Sequence, residues 1–475
     1  MKKLLLSALI LFLVYANAKS QANKPTTGIS GPMVDERVEL LSIAARLAEY
    51  DEYNSDINKL YVQDIHQYFD KYKDHPLIKY MRDIRDANSI GFDAVAVMAI
   101  HLTPPPALNP VVKFTDSVPD VRWGLKTAMK FDTLLKQFYN DTHFDAFFKA
   151  HQPMYQTAVV QFDSLYRQLD VSWYYKYYGI KPRGRFNIVI GLGNGGANYG
   201  PKVIFPDGKE ELYAIMGAWK FNNAGAPSFN DRDYLATLIH EFNHSFVNYL
   251  TEENKAKLLP AGATIFQAVE KKMRRLAYGD WQTMESEALV RASVIRYLQT
   301  HYADSTVAIK ELQVQRAVGF IWIKQLVDLL GEYEANRKTY PTLESFMPRI
   351  ADFYADLAAH INIVLSDYSS KQPHVTSLDP AINGDTTVHS DLKQIKVIFD
   401  KPLSGKGLSI NYGKLGQDHF PGLKLLGYTD NNKAILLQVD LKPGTDYDFV
   451  LTGLAFKTPD GYPLENYEVS FKTGK

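Results

Sequence analysis

From Val34 onward, apolar residues return about every 3.6 positions: Val38, Leu41, Ile43, Ala44, Leu47 and Ala48 share one helical face. The same period predicts helices over residues 58–72, 77–87 and 91–100. His75-Pro76 separates the first two, and Pro104-Pro105-Pro106 breaks the chain after the third. Three more helical stretches are expected between 121 and 178, ending in the aromatic run Trp173-Tyr174-Tyr175-Lys176-Tyr177-Tyr178. At residue 185 the texture changes to strands, expected over 185–191, 202–205 and 211–219, with a glycine-rich loop at 193–200. Asn230-Asp231-Arg232-Asp233 then has the composition of a helix start. That helix should run to about Tyr249 and bury Leu235, Leu238, Ile239, Phe242 and Phe246, with His240 and His244 on an adjacent face beside Thr237 and Val247. Further helices are expected over 264–276, 285–302, 306–333 and 343–365.

A second change of texture falls at 367–373, where Ser, Lys, Gln and Pro cluster. Beyond it short alternating segments predict strands at 393–399, 434–439, 446–451 and 468–471, with turn signals at Asn383-Gly384, Pro443-Gly444 and Asp460-Gly461. About a hundred such residues describe a β-sandwich. The expected fold class is therefore α+β. Its parts are a helical N-terminal region over 19–184, a largely helical core with a small antiparallel sheet over 185–368, and an all-β sandwich over 373–475.

Composition narrows the chemistry. Residues 1–18 read as a secretory signal: Lys2 and Lys3, an apolar run from Leu4 to Val14, then the small-residue pattern Ala16-Asn17-Ala18. This predicts export, to the periplasm or beyond the cell, with no stable membrane insertion after cleavage. The absence of cysteine rules out a disulfide framework, a thiol nucleophile and thiolate metal ligands. Formal charge is zero, with 53 basic and 53 acidic residues, so no basic face for nucleic acid is expected. The 30 tyrosines and 25 phenylalanines read mainly as packing. The glycine-rich run lacks the Gly-Lys-Ser/Thr ending of a phosphate loop and reads as a connection between strands.

The candidate chemistry is Ile239-His240-Glu241-Phe242-Asn243-His244-Ser245, an HExxH pattern inside the helix expected after residue 230. Two imidazoles at i and i+4 share a helical face and can bind one zinc ion, with Glu241 beside the first as general base. Histidines 66, 75, 101, 143 and 151 lack such spacing and read as structural. Catalytic zinc needs a third protein ligand. Val247 and Leu250 stand where an HExxHxxGxxH site would need glycine and histidine, so a later carboxylate must serve. Glu252 and Glu253 are too near His244 to fold back, Glu270 adjoins Lys271-Lys272 on a solvated face, and Asp280 sits beside Gly279 in a loop. Glu287 is the preferred ligand and Glu285 its rival. Glu287 opens the apolar helical segment Glu287-Ala-Leu-Val-Arg-Ala292, where a carboxylate needs a cation; Arg291, one turn on, offers an ion pair as the alternative reason for it.

In these residues the chain resembles the gluzincins, peptidases with an HExxH helix and a glutamate ligand on a following helix. The resemblance covers roughly 185–300. It implies Zn2+ held by His240, His244 and Glu287, Glu241 as general base, a peptide or protein substrate, and an oxyanion-stabilising tyrosine or histidine, for which Tyr278 and Tyr297 are available. Forty-two residues separate His244 from Glu287, more than in thermolysin-like members. More closely, His240-Glu-Phe-Asn-His-Ser-Phe-Val-Asn248, the later Glu287–Ala292 segment and the C-terminal domain resemble a Bacteroidetes family of exported zincin-like proteins. Phe399-Asp-Lys-Pro-Leu403, Leu441-Lys-Pro-Gly-Thr-Asp-Tyr447 and Phe471-Lys-Thr473 resemble bacterial immunoglobulin-like domains, which implies a spacer or a module binding a surface or matrix partner. A catalytically silent zincin-like binding protein, or a zinc hydrolase of non-peptide substrates, is the alternative. The strand over 212–219 is expected to pair with an extended substrate.

Overall fold

The computed structural model describes residues 28–180 and 184–475. The signal expected over 1–18 lies outside the described residues. The chain forms two compact units that divide between Phe246 and Val247, and each is taken by itself. The class is α+β. No helix among the described residues is long and apolar enough to cross a membrane.

The first unit contains helices α1 (Glu36–Leu47), α2 (Lys59–Phe69), α3 (Pro76–Asn88), α4 (Asp93–Ile100), α5 (Gly124–Thr142), α6 (Phe144–Ala150), α7 (Gln152–Tyr166) and α8 (Val171–Tyr178). Helix α1 starts at Asp35, whose side chain accepts from the Arg37 amide, and every residue after Glu36 is buried. A helix buried all round is central rather than peripheral. At the start of α3, His75 caps the Leu77 amide and Pro76 occupies the first turn, where its missing N–H costs nothing.

Three strands follow: β1 (Gly184–Gly191), β2 (Lys202–Ile204) and β3 (Glu210–Gly217), in the order β1-β3-β2. The expected antiparallel pairing holds for β2 and β3, joined by the turn at Asp207-Gly208. β1 and β3 run parallel instead, in register from Gly184–Glu210 to Gly191–Gly217. Both are buried along their last six residues, the texture of strands covered on two faces. The central position of β3 also corrects the idea that it pairs with substrate. Its backbone is engaged on both sides, by β1 and by β2 with the Tyr199–Ile215 bridge.

Helix α9 (Asp231–Glu253) carries the HExxH pattern and begins where the Asn-Asp-Arg-Asp signal put it. Its stripe Leu235, Leu238, Ile239, Phe242 and Phe246 is buried as its spacing implied. The aromatic run of α8 forms the wall against that stripe. Tyr178 stacks on Phe246 at 4.5 Å and its hydroxyl donates to Asn243 Oδ1 at 2.9 Å, while Tyr174 packs edge-on to Phe242.

The second unit contains α10 (Lys255–Arg275), α11 (Trp281–His301), α12 (Ser305–Val318), α13 (Ile323–Ala335) and α14 (Leu343–Lys371). The helix expected over 306–333 is two, because the chain turns at Gly319. Helix α11 packs against α10, α12 and α13, and its residues from Met284 to Leu298 are buried almost without break.

The β region holds two antiparallel sheets, β4-β5-β8-β7 and β10-β9-β6, formed by β4 (Val375–Asp379), β5 (Gln394–Phe399), β6 (Ile410–Tyr412), β7 (Lys424–Thr429), β8 (Ala434–Gln438), β9 (Asp446–Leu451) and β10 (Tyr467–Lys472). Ile395, Val397, Phe399, Ile435, Leu437, Phe449, Leu451, Val469 and Phe471 fill one core shared by both sheets. β4, β6 and β7 had no strand signal. Each lies at a sheet edge, and β4 and β7 carry register shifts that break alternation.

Candidate metal centre

The helical period places His240 above His244 on α9, and their Nε2 atoms face each other at 3.1 Å with the rings nearly perpendicular. Two imidazoles in a tetrahedral zinc site, each about 2.0–2.1 Å from the ion, have nitrogens roughly 3.3 Å apart. The pair is thus already spaced for one shared cation. Glu287 of α11 completes the group. One ligand atom from each of His240, His244 and Glu287 lies within 4.8 Å of the others, and among the described residues this is the group of three or more that could hold a metal ion. Nitrogen, nitrogen and oxygen donors suit a divalent transition ion.

The Glu287 carboxylate is buried and held. Its Oε2 accepts from the Tyr278 hydroxyl at 2.8 Å and from Arg291 Nη2 and Nε at 3.0 and 3.2 Å. Arg291 also donates to the Tyr278 oxygen at 2.6 Å and to Gln315 Oε1 at 2.5 Å, and its guanidinium lies over the Phe320 ring. Burial works to lower the Arg291 pKa, but Glu287 and Tyr278 more than offset it and the guanidinium is held charged. Burial, with Glu287 beside it, pushes the Tyr278 phenol well up, so its hydroxyl keeps the proton it donates. The ion pair with Arg291 does not take Glu287 out of the group that could hold a metal ion.

The rival Glu285 is two residues back on α11 and on a different face. It is 0% exposed, with no hydrogen-bond partner for either oxygen, and burial pushes its pKa up to about 9. Its carboxyl fits because position 262 is glycine. A Cβ there would lie 2.7 Å from Glu285 Oε1 and 2.4 Å from the Trp281 ring. Three of the other candidate carboxylates are engaged elsewhere: Glu252 with Gln282 and Lys255, Glu270 with Arg274, and Asp280 as the cap of α11 through Thr283. Tyr297 stacks on His301 at 3.8 Å, and Tyr278 serves Glu287, a partnership with no sequence signal.

Glu241 is 6% exposed, next to the first histidine. The glycine-rich loop comes down on it: a Cβ at Gly200 would sit 2.7 Å from the Glu241 carbonyl oxygen and 3.1 Å from its Oε2. Only glycine lets the loop approach this closely. The loop is not an open anion cradle. At its start the amides of Leu192 and Gly193 donate to Glu39 Oε1 at 2.7 and 3.4 Å, and Tyr61 donates to Glu39 Oε2 at 2.8 Å. An internal carboxylate takes the place a phosphate would need. Burial raises the Glu39 pKa to about 7 against these hydrogen bonds.

Residues 122–353 match a protein family described as "Domain of unknown function (DUF4932)". The match takes in His240, Glu241, His244 and Glu287 and stops before the β region. No curated protein matches the chain. Among solved structures, domains 1–6 of surface layer protein SbsC match at 17% identity and a TM-score of 0.16, over 50% of this chain and 33% of that one. The N-terminal part of the bacterial S-layer protein SbsC matches at 15% identity and a TM-score of 0.16, over 54% of this chain and 61% of that one. The chain thus spans a third of the length of the first of these and less than two thirds of the second. Such scores lie far below those of a shared fold.

Proposed function

We propose that this protein is an exported zinc-dependent peptidase of gluzincin type. The observation that carries the reading is the His240–His244–Glu287 group, with imidazole nitrogens 3.1 Å apart and a buried carboxylate brought to them from another helix. A zinc ion there would polarise a scissile carbonyl and make a water acidic enough to attack at neutral pH. Glu241 takes the proton from the attacking water and delivers it to the leaving amine. Its place beside His240 and under Gly200 supports that role, because the loop limits the directions the carboxylate can take. Export rests on the signal pattern of residues 1–18.

We read the C-terminal region as immunoglobulin-like. The strand orders β4-β5-β8-β7 and β6-β9-β10 support it, since they follow the two-sheet order of seven-stranded constant-type domains. So does Tyr447 at the start of β9, whose hydroxyl oxygen accepts from the Lys442 amide at 2.7 Å, as in a tyrosine corner.

Metal analysis of the purified protein, with casein and peptide-library cleavage by wild type and Glu241→Gln, tests the proposal. One zinc per chain is expected, and the variant should retain zinc while losing about 10²-fold or more of the cleavage rate. Zinc without cleavage would point to a silent binding protein or a hydrolase of other substrates. A wild type that binds no zinc sinks the site.

A further inference from the structure

Adjacent residues of α12 reach in opposite directions. Gln315, buried, accepts from Arg291 Nη1 at 2.5 Å, and Arg291 in turn holds Glu287 Oε2. Arg316 reaches instead into the β region, where its guanidinium lies 4.0 Å over the Tyr462 ring, bonds the Tyr462 hydroxyl at 3.0 Å and donates to the Asp460 carbonyl at 2.8 Å. The turn that carries Tyr462 is anchored a second time at the end of α14. Gln372 Nε2 donates to the Pro463 carbonyl at 2.7 Å, and Tyr368 packs 5.6 Å from Tyr462.

We infer that the β-sandwich is a brace for the metal centre, acting through Tyr462, Arg316 and Gln315 on the Arg291–Glu287 pair. The argument is mechanical. Arg291 is a long side chain whose end is held by Glu287, Tyr278 and Gln315, and of these Gln315 is the one carried on α12. Gln315 sits on a helix of fourteen residues whose next side chain is clamped to a stacked aromatic ring and a backbone carbonyl. A stacked and hydrogen-bonded guanidinium is a directional anchor, which a lysine would not reproduce. Loosening it lets α12 shift, and the carboxylate geometry relaxes with it. Groups that orient a metal ligand in this way are commonly worth 10- to 100-fold in metal affinity, and a brace one step further out is worth less. Tyr462, Arg316 and Gln315 are thus positioning residues, and the β-sandwich is more than a spacer.

This inference rests on Glu287 being a metal ligand, and the test separates the two. Full-length protein is titrated with cobalt(II), whose visible absorption reports the donor set directly. Wild type should bind one cobalt and Glu287→Ala should lose it. Tyr462→Ala and Arg316→Ala should each weaken cobalt binding by roughly 3- to 10-fold and alter the visible band. Tyr462→Phe, which keeps the ring under the guanidinium, should stay within about two-fold of wild type. Gln315→Met breaks the chain from the other side without touching the sandwich, and covers the case in which a Tyr462 variant fails to fold. Wild-type affinity and spectrum in Gln315→Met, or in both alanine variants, with cobalt still lost in Glu287→Ala, overturns the brace alone. A wild type that takes up no cobalt overturns the metal centre and the brace together.

Discussion

Two faces of α11 treat the same side chain in opposite ways. Glu285 and Glu287 are two residues apart, about 200° around the helix, and both are buried. Glu285 lies close against Gly262 with no hydrogen-bond partner for either oxygen; burial holds its carboxyl protonated at neutral pH, with a pKa of about 9. Glu287 meets a guanidinium and a phenol, and belongs to the group that could hold a metal ion. An ion buried without a partner costs several kcal/mol, so a carboxyl in the first setting keeps its proton. In the second setting the charge is compensated and available to a metal. Which glutamate can be a ligand is decided by what the neighbouring helices bring up, since helix, burial and residue type are shared.

The comparison can be broken most directly at Glu287. Glu287→Ala should weaken zinc or cobalt binding by more than about 100-fold, beyond what loss of a supporting group costs. Equal metal content in Glu287→Ala and wild type would move the third ligand elsewhere. Next in size, Tyr278→Phe removes one donor to Glu287 Oε2 and should cost about 10-fold in metal affinity with little change in melting temperature. A melting temperature that collapses together with metal binding would make Tyr278 a packing residue instead.

Glu285 should show up in stability rather than in metal binding. Its folded pKa of about 9 lies above the ordinary 4.5, so the folded state holds a proton that the unfolded chain releases. That contribution is complete below about pH 4.5 and is lost as pH rises through 9, with a slope of up to about 1.4 kcal/mol per pH unit for one group. Glu39, raised to about 7, acts with the same sign but is spent above that pH. In metal-free protein, denaturant unfolding between pH 7 and 9 should therefore show falling stability that Glu285→Gln removes and Glu39→Gln does not. A wild-type slope surviving in Glu285→Gln would show that its carboxyl is ionised and paired. The smallest expected effect is on the metal itself: Glu285→Gln should leave zinc affinity within about two-fold of wild type.

Much of the fold was legible from local pattern. The stripe Leu235–Leu238–Ile239–Phe242–Phe246 marked α9, and the run 446–451 marked β9, because period and burial coincide there. Edge strands such as Ile410-Asn-Tyr412 were not legible, since three residues, none of them buried, carry no alternation to read. The parallel pairing of β1 with β3 was hidden too, because strand direction is a property of the pair and not of either segment. Helix α10 starts at Lys255, nine residues ahead of the expected 264, in a stretch where Pro260 argues locally against helix and packing overrides it.

The chain's own order determined that His240 and His244 share a face, with Glu241 beside them, because a helix places i and i+4 one above the other whatever surrounds it. It also determined that no thiolate could join them. The third member was a tertiary decision. Glu287 and Glu285 look alike along the chain, and Arg291 at i+4 suggested a closed ion pair. In the folded chain the Arg291-bound carboxylate is the one that joins the histidines in a group that could hold a metal ion, while the other is buried without a partner and keeps its proton. The same folding set Gln315 and Arg316 between that carboxylate and Tyr462, 146 residues further along than Arg316. Local pattern extends over a turn or two of helix. Charge compensation in a buried site depends on partners any distance apart in sequence, and only the packed molecule supplies them.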